Sequence, residues 1–553
     1  MSSGVFTESL PLGDLLVRSA LRHPDRVALA FPDREYTYRE LLDSAVETAR
    51  GLIALGIRPG DHVGLLMPNS PEFVEGYFAA ALVGAVLVPL NARFRSAELS
   101  YVVDHAEIAV LLTTDSIAGR TDFRAILTDG FPSIKGSERR GEPLELPEAE
   151  HLRHIVMLRG ESSAGFVGAQ EFAAAGRTVE TDEVWRRRER IRVRDIAMIL
   201  YTSGTTAHPK GCLITHESIT RGSVGRAAEN IPFVEPLEDR AIWCPLPLFH
   251  IASMQSFLSS IAQGATFLTD VFFDGDRAIA QITRYRATSI WPWFMATMNG
   301  VLNHPDFDAA ALAHVTSIIL VGPPSELRRV QGLFPQAALI NGSGMSEMAG
   351  YYCMSPLEDT AEQRATNAGK AVSGTESRVI DPETGLDAEP GELGELLLRG
   401  YSMMVGYFKD PERTAEAVDT EGWLHTGDLF RREADGHLVY EGRLKDMLKV
   451  GGENVPAVEV EAFLCTHPAV LLAEVVARPD DRLDEVPVAF VELVEGAMVT
   501  DEEIIEYCRG KISSFKVPRA VFFKTSTEWP MSSTKVDKVS LRREALERSM
   551  QNV

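Results

Sequence analysis

Short apolar runs alternate with helix-length segments through the first 400 residues, and no other feature narrows the choice of fold as much. The run HVGLLMP (62–68) precedes the helical pattern SPEFVEGYFAAALVGA (70–85), and the run AVLVPL (85–90) follows it. Later runs of the same character are IAVLLTT (108–114), DIAMILYTS (195–203), ATFLTD (265–270), TSIWPWF (288–294), TSIILVG (316–322) and AALINGS (337–343). Apolar strands separated by helical segments are typical of parallel sheets covered by helices. A large layered α/β domain is therefore predicted.

The predicted pattern of secondary structure changes towards the C-terminus. Residues 390–443 have the pattern of strands joined by turns, with Asp435-Gly436 as a hairpin signal. After Asp446 the pattern is that of a compact α+β unit, with a capping-box start at Thr500 and Glu503. Because 553 residues are too many for one core, we predict two domains. They are an N-terminal α/β domain with a β-rich subdomain (1–445) and a small mobile α+β domain (446–553).

Charge and cysteine usage exclude several classes of protein. The net charge of −24 disfavours nonspecific binding to nucleic acid or to an anionic membrane. The 5 cysteines are scattered and show no CxxC spacing, so neither a disulfide framework nor a zinc site is indicated. The N-terminus lacks the layout of a secretory signal, and no apolar run is long enough to span a membrane. These features predict a cytoplasmic location, and they leave the oligomeric state open, a homodimer included.

A polar loop follows the apolar run that ends near residue 201. The stretch LYTSGTTAHPKG (200–211) supplies backbone amides and hydroxyl groups with little bulk, and then a lysine. Such a composition suits a loop that holds phosphate groups. It is not a Walker loop, because the spacing GxxxxGK[ST] is not satisfied. An ordinary turn would explain five of these residues, but it does not explain the whole string.

Four further motifs follow this loop in a fixed order. They are PLFH (247–250), SGMSE (343–347), GWLHTGD (422–428) and GRLKDMLKVGGENV (442–455). Together with YTSGTTAHPKG they resemble the adenylate-forming superfamily, which contains acyl-CoA synthetases, adenylation domains of peptide synthetases and firefly-type luciferases. The resemblance runs from about residue 10 to the C-terminus. Carnitine-type, medium-chain and aryl CoA ligases are the members with the most similar motif text.

The resemblance implies how ATP is bound. It places the phosphates against Thr202, Ser203, Gly204, Thr205, Thr206 and Lys210. Glu347 and Thr205 would hold Mg²⁺, a hard cation that prefers oxygen ligands. Asp428 would accept the ribose hydroxyl groups, and Arg443 would approach the same ribose. The adenine would lie beside Gly322, Pro323, Ser343, Gly344, Met345 and Ser346.

The resemblance also implies how the acid and the thiol are handled. Lys535 aligns with the lysine that bridges the carboxylate and the nucleotide, so it is predicted to be catalytic together with Thr205, Glu347 and His250. Asp446 would be the hinge of the small domain, and Gly451 and Gly452 would line the path of coenzyme A. Trp291, Trp293, Phe294 and His250 would form the acyl pocket, which suits a medium-sized apolar, aryl or alicyclic carboxylate.

This sequence departs from the family pattern at three places. Ala207 replaces a glycine of the phosphate loop, Ser343 stands where many relatives carry an aromatic residue, and the glycine before Lys535 is missing. None of these changes removes a catalytic group. Lys538, the next lysine, would face away from the reacting groups.

The function predicted from these motifs is ATP-dependent activation of a carboxylic acid, followed by thioester formation with coenzyme A. ATP, Mg²⁺ and coenzyme A are the predicted cofactors. An adenylating enzyme that loads a separate carrier protein is the alternative among enzymes, and a luciferase-like oxygenase is less favoured. A non-catalytic acyl or nucleotide sensor is the alternative from another class.

Overall fold

The computed structural model describes residues 9–117, 121–136, 142–202, 209–230, 240–450, 453–480, 482–532 and 535–551. The chain forms two compact units. The first consists of residues 1–376 and 399–416, and the second of residues 377–398 and 417–553. The predicted domain boundary at 445/446 lies inside the second unit. A separately moving domain at 446–553 stays a prediction.

The helices of the described residues follow in chain order. They are α1 (Leu12–Arg22), α2 (Tyr38–Ala54), α3 (Pro71–Val83), α4 (Ser96–His105), α5 (Phe123–Gly130), α6 (Ala169–Gly176), α7 (Thr181–Arg188), α8 (His216–Asn230), α9 (Ile251–Gln263), α10 (Gly275–Arg284), α11 (Met295–Leu302), α12 (Pro324–Leu333), α13 (Ala361–Thr366), α14 (Pro411–Ala417), α15 (Ala457–Leu464), α16 (Asp501–Cys508) and α17 (Lys538–Gln551). Short 3₁₀ turns lie at Pro132–Gly136, Ser346–Met348 and Leu444–Asp446.

The strands are numbered in the same way. Those up to residue 202 are β1 (Val27–Ala30), β2 (Glu35–Thr37), β3 (His62–Leu66), β4 (Val86–Pro89), β5 (Ile108–Thr114), β6 (Ser116–Ile117), β7 (Thr121–Asp122), β8 (His154–Arg159), β9 (Val167–Gly168) and β10 (Ile196–Thr202). The next are β11 (Lys210–Thr215), β12 (Ala241–Trp243), β13 (Thr266–Leu268), β14 (Ser289–Phe294), β15 (Ser317–Val321), β16 (Ala338–Ile340), β17 (Gly342–Met345), β18 (Gly350–Met354) and β19 (Lys370–Ala371). The last are β20 (Thr375–Ile380), β21 (Leu393–Gly400), β22 (Leu424–Arg432), β23 (Leu438–Arg443), β24 (Met447–Val450), β25 (Glu453–Pro456), β26 (Val470–Asp480), β27 (Asp484–Leu493), β28 (Ala520–Lys524), β29 (Met531–Ser532) and β30 (Lys535–Val536).

Two sheets form the frame of the first unit. Among the described residues, one has the order β11-β10-β4-β3-β5-β8-β9 and the other the order β16-β15-β14-β12-β13-β1-β2. Every pairing is parallel except β10 with β11 and β1 with β2, which are antiparallel. The predicted parallel α/β architecture is confirmed. Parallel strands need crossover segments, which the helices between the apolar runs provide.

Helix α3 shows why one predicted helix forms where it does. Ser70 caps its N-terminus by accepting a hydrogen bond from the Phe73 amide, and Pro71 occupies the first turn. Gly84 ends the helix in the left-handed conformation with φ +73°, which costs a glycine little. Its apolar residues from Phe73 to Val83 are buried, so it packs between other elements rather than facing solvent. The cap alone contributes about 1 kcal/mol.

The described part of the second unit contains two larger, mainly antiparallel sheets and the short hairpin of β29 with β30. Strands β20, β21, β22 and β23 lie in that order, and Gly436 turns the chain between the last two with φ +92°. The other sheet has the order β25-β24-β27-β26, with β28 added parallel to β27. Thr500 and Glu503 form the predicted capping box at the start of α16. The α+β character of this part is confirmed. In the described parts of the chain, no helix is both long and apolar enough to cross a membrane.

His216 couples the fold of the first unit to pH. Its ring is buried, and its Nδ1 accepts a hydrogen bond of 3.0 Å from the Leu12 backbone amide. Burial lowers the pKa of His216 to about 4. Because the folded pKa lies below the unfolded value, stability is present above about pH 6.5 and decreases as the pH falls towards 4.

We expect His216→Asn to weaken this pH dependence, since the amide oxygen can accept the same hydrogen bond without titrating. Between pH 7.5 and pH 5 the parent should lose on the order of 1–2 kcal/mol more than the variant. Urea unfolding midpoints at both pH values measure the difference. His151→Asn is the control, because His151 is exposed. Equal losses in the parent and in His216→Asn would contradict the assignment.

Candidate active site

The two ends of the polar loop are held side by side by a strand pair. Strand β10 ends at Thr202 and β11 begins at Lys210, and these two residues are paired partners in the antiparallel ladder. The predicted phosphate-binding residues Ser203, Gly204, Thr205 and Thr206 lie outside the described residues, as does Ala207. The ladder therefore fixes where the loop leaves and re-enters the sheet.

Lys210 is the first residue of β11, and its ammonium group lies over the ring of Tyr407. Its Nζ is 4.9 Å from the centroid of Tyr407. None of the ion pairs seen among the described residues involves Lys210. A cation over a ring face is stabilised by the ring quadrupole. The Tyr407 ring therefore supports the Lys210 ammonium without neutralising its charge.

Glu347 lies in the 3₁₀ turn after β17. Its Oε1 accepts a hydrogen bond of 2.9 Å from the Tyr407 hydroxyl, and its backbone carbonyl accepts one of 2.7 Å from the Met404 amide. The chain then turns sharply, because Ala349 and Gly350 both have positive φ. A Cβ on Gly350 would lie 2.1 Å from the side chain of Gln255, whose amide donates to the Ala349 carbonyl. The turn is therefore closely packed, and only glycine fits at position 350.

Residues 404–409, which we call the strap, run antiparallel beside β11. The Val405 amide donates to the Leu213 carbonyl, the Leu213 amide to the Gly406 carbonyl, and the Phe408 amide to the Gly211 carbonyl, at 2.9, 2.9 and 2.8 Å. The strap thereby brings Tyr407 between Lys210 and Glu347. Burial raises the pKa of the Tyr407 hydroxyl, and the nearby Glu347 raises it further, so the hydroxyl is protonated and donates.

A thiol is buried in the same place. Cys212 on β11 has no exposed surface and forms a β-bridge with Tyr407. Burial raises the pKa of this thiol well above its ordinary value, and Glu347 adds to the shift while Lys210 opposes it. Cys212 is consequently a neutral packing residue between β11 and the strap.

The residues predicted to line the adenine follow two neighbouring strands. Strands β15 and β16 are adjacent and parallel. Gly322 and Pro323 follow the first strand, and the segment Ser343–Ser346 comes shortly after the second. Carboxyl ends of adjacent parallel strands meet at one sheet edge, where α/β proteins commonly bind ligands. A Cβ on Gly322 would lie 2.7 Å from the Met295 Cγ, so the loop is tightly packed on that side.

The residues predicted for the acyl pocket belong to β14 and to the start of α9. Trp293 has φ +65°, stacks on Tyr351 at 5.2 Å between centroids, and donates from Nε1 to Ser256 at 3.2 Å. Trp291 is fully buried and donates from Nε1 to Ser289 at 2.7 Å. Phe294 is partly exposed. These contacts fix the positions of both indole rings, and Trp291 is packed in the core of the unit.

His250 stands at the N-cap of α9, and its ring lies 4.7 Å from that of Phe249. Burial lowers the pKa of His250 to about 4, and the Arg93 guanidinium contributes in the same direction. The imidazole is therefore neutral at pH 7. It can orient a polar group by hydrogen bonding, but it adds no positive charge for a carboxylate.

In the second unit, Asp428 and Arg443 form a cross-strand pair. They are register partners on β22 and β23, and the Arg443 Nε is 2.8 Å from the Asp428 Oδ1. Asp428 is 5% exposed, and its amide is held by the Thr426 hydroxyl at 3.0 Å. Burial raises the pKa of Tyr440 to about 12, with a further contribution from Asp428. The Asp428 carboxylate is thus held against the Arg443 guanidinium by the strand pairing.

The predicted hinge residue is tied to the last helix. The Arg542 guanidinium of α17 pairs with Asp446 and donates to the Lys445 carbonyl at 3.0 Å. Lys538 pairs with Glu461, and its Nζ is 3.3 Å from the Glu474 carboxylate. Burial raises the pKa of Glu474 to about 7, and Glu461 adds to this effect. Lys538 therefore faces two partly buried carboxylates.

Lys535 lies on β30, in register with Ser532 of β29. Its side chain is outside the part of the chain that the structure describes, and so are Gly451 and Gly452.

Comparison with known proteins assigns the chain to a family. The family described as AMP-binding enzyme matches residues 16–408. The chain belongs to the AMP-binding enzyme family. The C-terminal domain of AMP-binding enzymes also matches, at residues 459–534. The predicted relationship to adenylate-forming enzymes is confirmed.

Several AMP-binding enzymes are similar along nearly the whole chain. The human mitochondrial medium-chain acyl-CoA ligase ACSF2 is 31% identical over 98% of this chain and 88% of its own length. The 3-[(3aS,4S,7aS)-7a-methyl-1,5-dioxo-octahydro-1H-inden-4-yl]propanoyl:CoA ligase of Mycobacterium tuberculosis is 34% identical over 92% of this chain and 94% of its own. The crystal structure of the anthranilate CoA ligase AuaEII with anthranoyl-AMP has a TM-score of 0.80 at 25% identity, covering 97% and 98% of the two chains.

The family and these relatives together confirm the predicted class of enzyme. The chain is an acid–thiol ligase that activates a carboxylic acid with ATP and forms a thioester with coenzyme A. The structure adds one residue that the sequence motifs did not single out, Tyr407. The text MMVGYF (403–408) carries no distinctive spacing, and its place beside β11 depends on pairing between segments nearly 200 residues apart.

Proposed function

We propose that this AMP-binding enzyme activates a medium-sized apolar, aryl or alicyclic carboxylic acid and transfers it to coenzyme A. The observation that carries the proposal is that Tyr407 contacts both Lys210 and Glu347. Its ring lies under the Lys210 ammonium, and its hydroxyl donates to the Glu347 carboxylate. A cation and a carboxylate held without mutual neutralisation are what the phosphates of ATP and an accompanying cation require. Catalysis of nucleotidyl transfer rests mainly on such positioning and charge stabilisation.

Glu347 fits a role in holding Mg²⁺. Its Oε1 is engaged by Tyr407, while in the described residues no hydrogen bond to Oε2 is seen, and carboxylate oxygens suit this hard cation. When bound, Mg²⁺ neutralises phosphate charge. Thr205 is proposed as a second ligand on the basis of the family resemblance.

In the first half-reaction, a carboxylate oxygen of the acid forms a bond to the α-phosphorus, and the bond from this phosphorus to the bridging oxygen breaks. Pyrophosphate leaves, and the acyl-adenylate remains. We propose that Lys535 offers its ammonium group to the carboxylate and the nucleotide. Asp428 accepts hydrogen bonds from the ribose hydroxyls, with Arg443 beside it.

In the second half-reaction, the sulfur of coenzyme A forms a bond to the acyl carbon, the bond to the phosphate oxygen breaks, and AMP leaves. The thiol proton passes to solvent. Gly451 and Gly452 are proposed to line the thiol path, and Asp446 to act as the hinge between the two half-reactions. His250, being neutral, orients the acid without binding it as an ion pair.

The fixed positions of Trp291 and Trp293 support the proposal that the substrate is of medium size. Both indole nitrogens are satisfied by serine hydroxyls, and Trp293 is fixed against Tyr351, so neither ring turns easily to admit a long chain. The names of the relatives include a medium-chain acid ligase and a ligase of an alicyclic propanoate. The cytoplasmic location and the homodimer stay predictions.

We expect CoA-dependent AMP formation with acids of about six to ten carbons, and little with long-chain fatty acids, because each methylene that a fixed pocket cannot accommodate costs about 1–3 kcal/mol. A panel of linear, aryl and alicyclic acids, assayed for pyrophosphate and AMP with and without coenzyme A, measures this. Pyrophosphate release without CoA-dependent AMP turnover would favour a carrier-loading enzyme. Release of neither product with any acid would favour a sensor.

A further inference from the structure

We propose that Tyr407 is a positioning residue that sets the carboxylate of Glu347 for the divalent cation and the ammonium of Lys210 for the phosphates. The inference rests on the proposed function of this site. No motif of the sequence pointed to Tyr407. Its hydroxyl and its ring act on two different groups, and this separation makes the two effects measurable independently.

The hydroxyl acts on the carboxylate. The bond of 2.9 Å from Tyr407 to the Glu347 Oε1 leaves the other carboxylate oxygen for a cation and fixes the plane of the group. The backbone of Glu347 is held by the same segment, because the Met404 amide donates to its carbonyl. Rotation of the carboxylate therefore requires breaking a contact with the strap.

The ring acts on the ammonium. The Lys210 Nζ lies 4.9 Å from the ring centroid, a distance at which cation–π attraction is effective. Lysine has a flexible four-carbon side chain, so an ammonium without such a support samples many positions. The ring limits these positions without neutralising the charge, which an acidic partner would do.

The strap itself is anchored on its other side. Phe408 packs edge-on against His62 and His105 at 5.4 and 5.9 Å between centroids. Lys409 pairs with Glu107 at 2.8 Å. Successive side chains of the strap thus face different groups, with Tyr407 towards Lys210 and Glu347 and Phe408 towards His62 and His105. Tyr407 is 8% exposed, so its position is set by packing before any ligand arrives.

Tyr407→Phe separates the two effects, because it keeps the ring and removes the hydroxyl. The matched control is Tyr285→Phe, since Tyr285 also donates to a glutamate, Glu35, at 2.5 Å, but on the surface of the first unit. Calorimetric titration with ATP, in the absence of any acid, is carried out with Mg²⁺ and with EDTA. The ratio of the two dissociation constants is the readout.

We expect Tyr407→Phe to reduce the Mg²⁺-dependent gain in ATP affinity by about fivefold to tenfold, the size of one typical net hydrogen bond, and to leave metal-free ATP binding within about twofold. Tyr407→Leu should weaken metal-free binding as well, because Lys210 loses its support. Tyr285→Phe should match the parent. In a Glu347→Gln background, Tyr407→Phe should change the ratio no further.

An unchanged ratio in Tyr407→Phe, or an equal decrease in the Glu347→Gln background, would overturn the inference. In that case a parent that still binds Mg·ATP and forms thioester would leave the proposed function intact. A parent that binds no ATP at all would overturn both. Melting temperatures of all variants separate a loss of folded protein from a change in the ratio, which is independent of the folded fraction.

Discussion

Lys535→Ala is expected to slow acyl-adenylate formation by roughly 10²–10³-fold, the usual effect of removing one preorganised charge donor from a transition state. Two anions, the carboxylate and the α-phosphate, must approach each other in this step, and an ammonium group between them lowers the barrier. Adenylate formation is measured by single-turnover release of pyrophosphate. The thioester half-reaction, started from a synthetic acyl-adenylate and coenzyme A, should stay within about tenfold of the parent.

Two other lysines of the second unit, Lys511 and Lys538, provide controls for Lys535→Ala. Lys511 is exposed and its ammonium lies over the ring of Tyr507, so Lys511→Ala should leave both half-reactions unchanged. Lys538 is paired with Glu461 and Glu474, and Lys538→Ala should lower the melting temperature because two partly buried carboxylates lose their cation. Adenylation by Lys535→Ala at the rate of the parent would show that the ammonium has no part in the step.

The parallel sheets could be predicted because their signal is local. Each strand is a short apolar run, each crossover is a helical pattern, and caps such as Ser70 and Gly84 mark the ends. The strand within the segment 119–194 is harder to predict. Polar and charged residues dominate the segment, yet His154–Arg159 forms β8, the last strand but one of a parallel sheet, with Ile155, Val156 and Met157 buried. A six-residue strand is easily hidden when charged residues dominate the text on both sides.

The residues of the candidate site could be predicted only where they belong to a local sequence motif. The loop with Lys210, the turn with Glu347 and the Asp428–Arg443 pair each carry a dense motif of glycines, hydroxyl groups and charges. Tyr407 does not. Its role depends on a β-bridge to Cys212 and a hydrogen bond to Glu347, and such long-range pairings follow from the packing of the whole unit rather than from local spacing. The burial of Lys538 between Glu461 and Glu474 is of the same kind.

Asp428→Asn is expected to weaken binding of AMP by roughly 30-fold to 100-fold, or about 2–3 kcal/mol. The carboxylate is fixed by the Arg443 guanidinium at 2.8 Å and by its position in the β22–β23 ladder. It therefore meets the two ribose hydroxyls without reorganising. The amide keeps the size of the side chain but loses the charge, and with it the stronger charge-assisted hydrogen bonds. Isothermal titration calorimetry with AMP measures the change.

A second acid–arginine pair on the same two strands makes the test specific. Arg431 of β22 and Glu441 of β23 are joined at 2.9 Å, so Glu441→Gln removes an equivalent cross-strand pair away from the proposed ribose site. It should leave the affinity for AMP within about twofold of the parent, since partly exposed pairs contribute little. Titration with 2′,3′-dideoxy-AMP isolates the hydroxyl groups, and on this ligand the parent and Asp428→Asn should converge. If the difference between parent and variant were as large for the dideoxy nucleotide as for AMP, the carboxylate would act on the fold of the β22–β23 ladder rather than on the ribose.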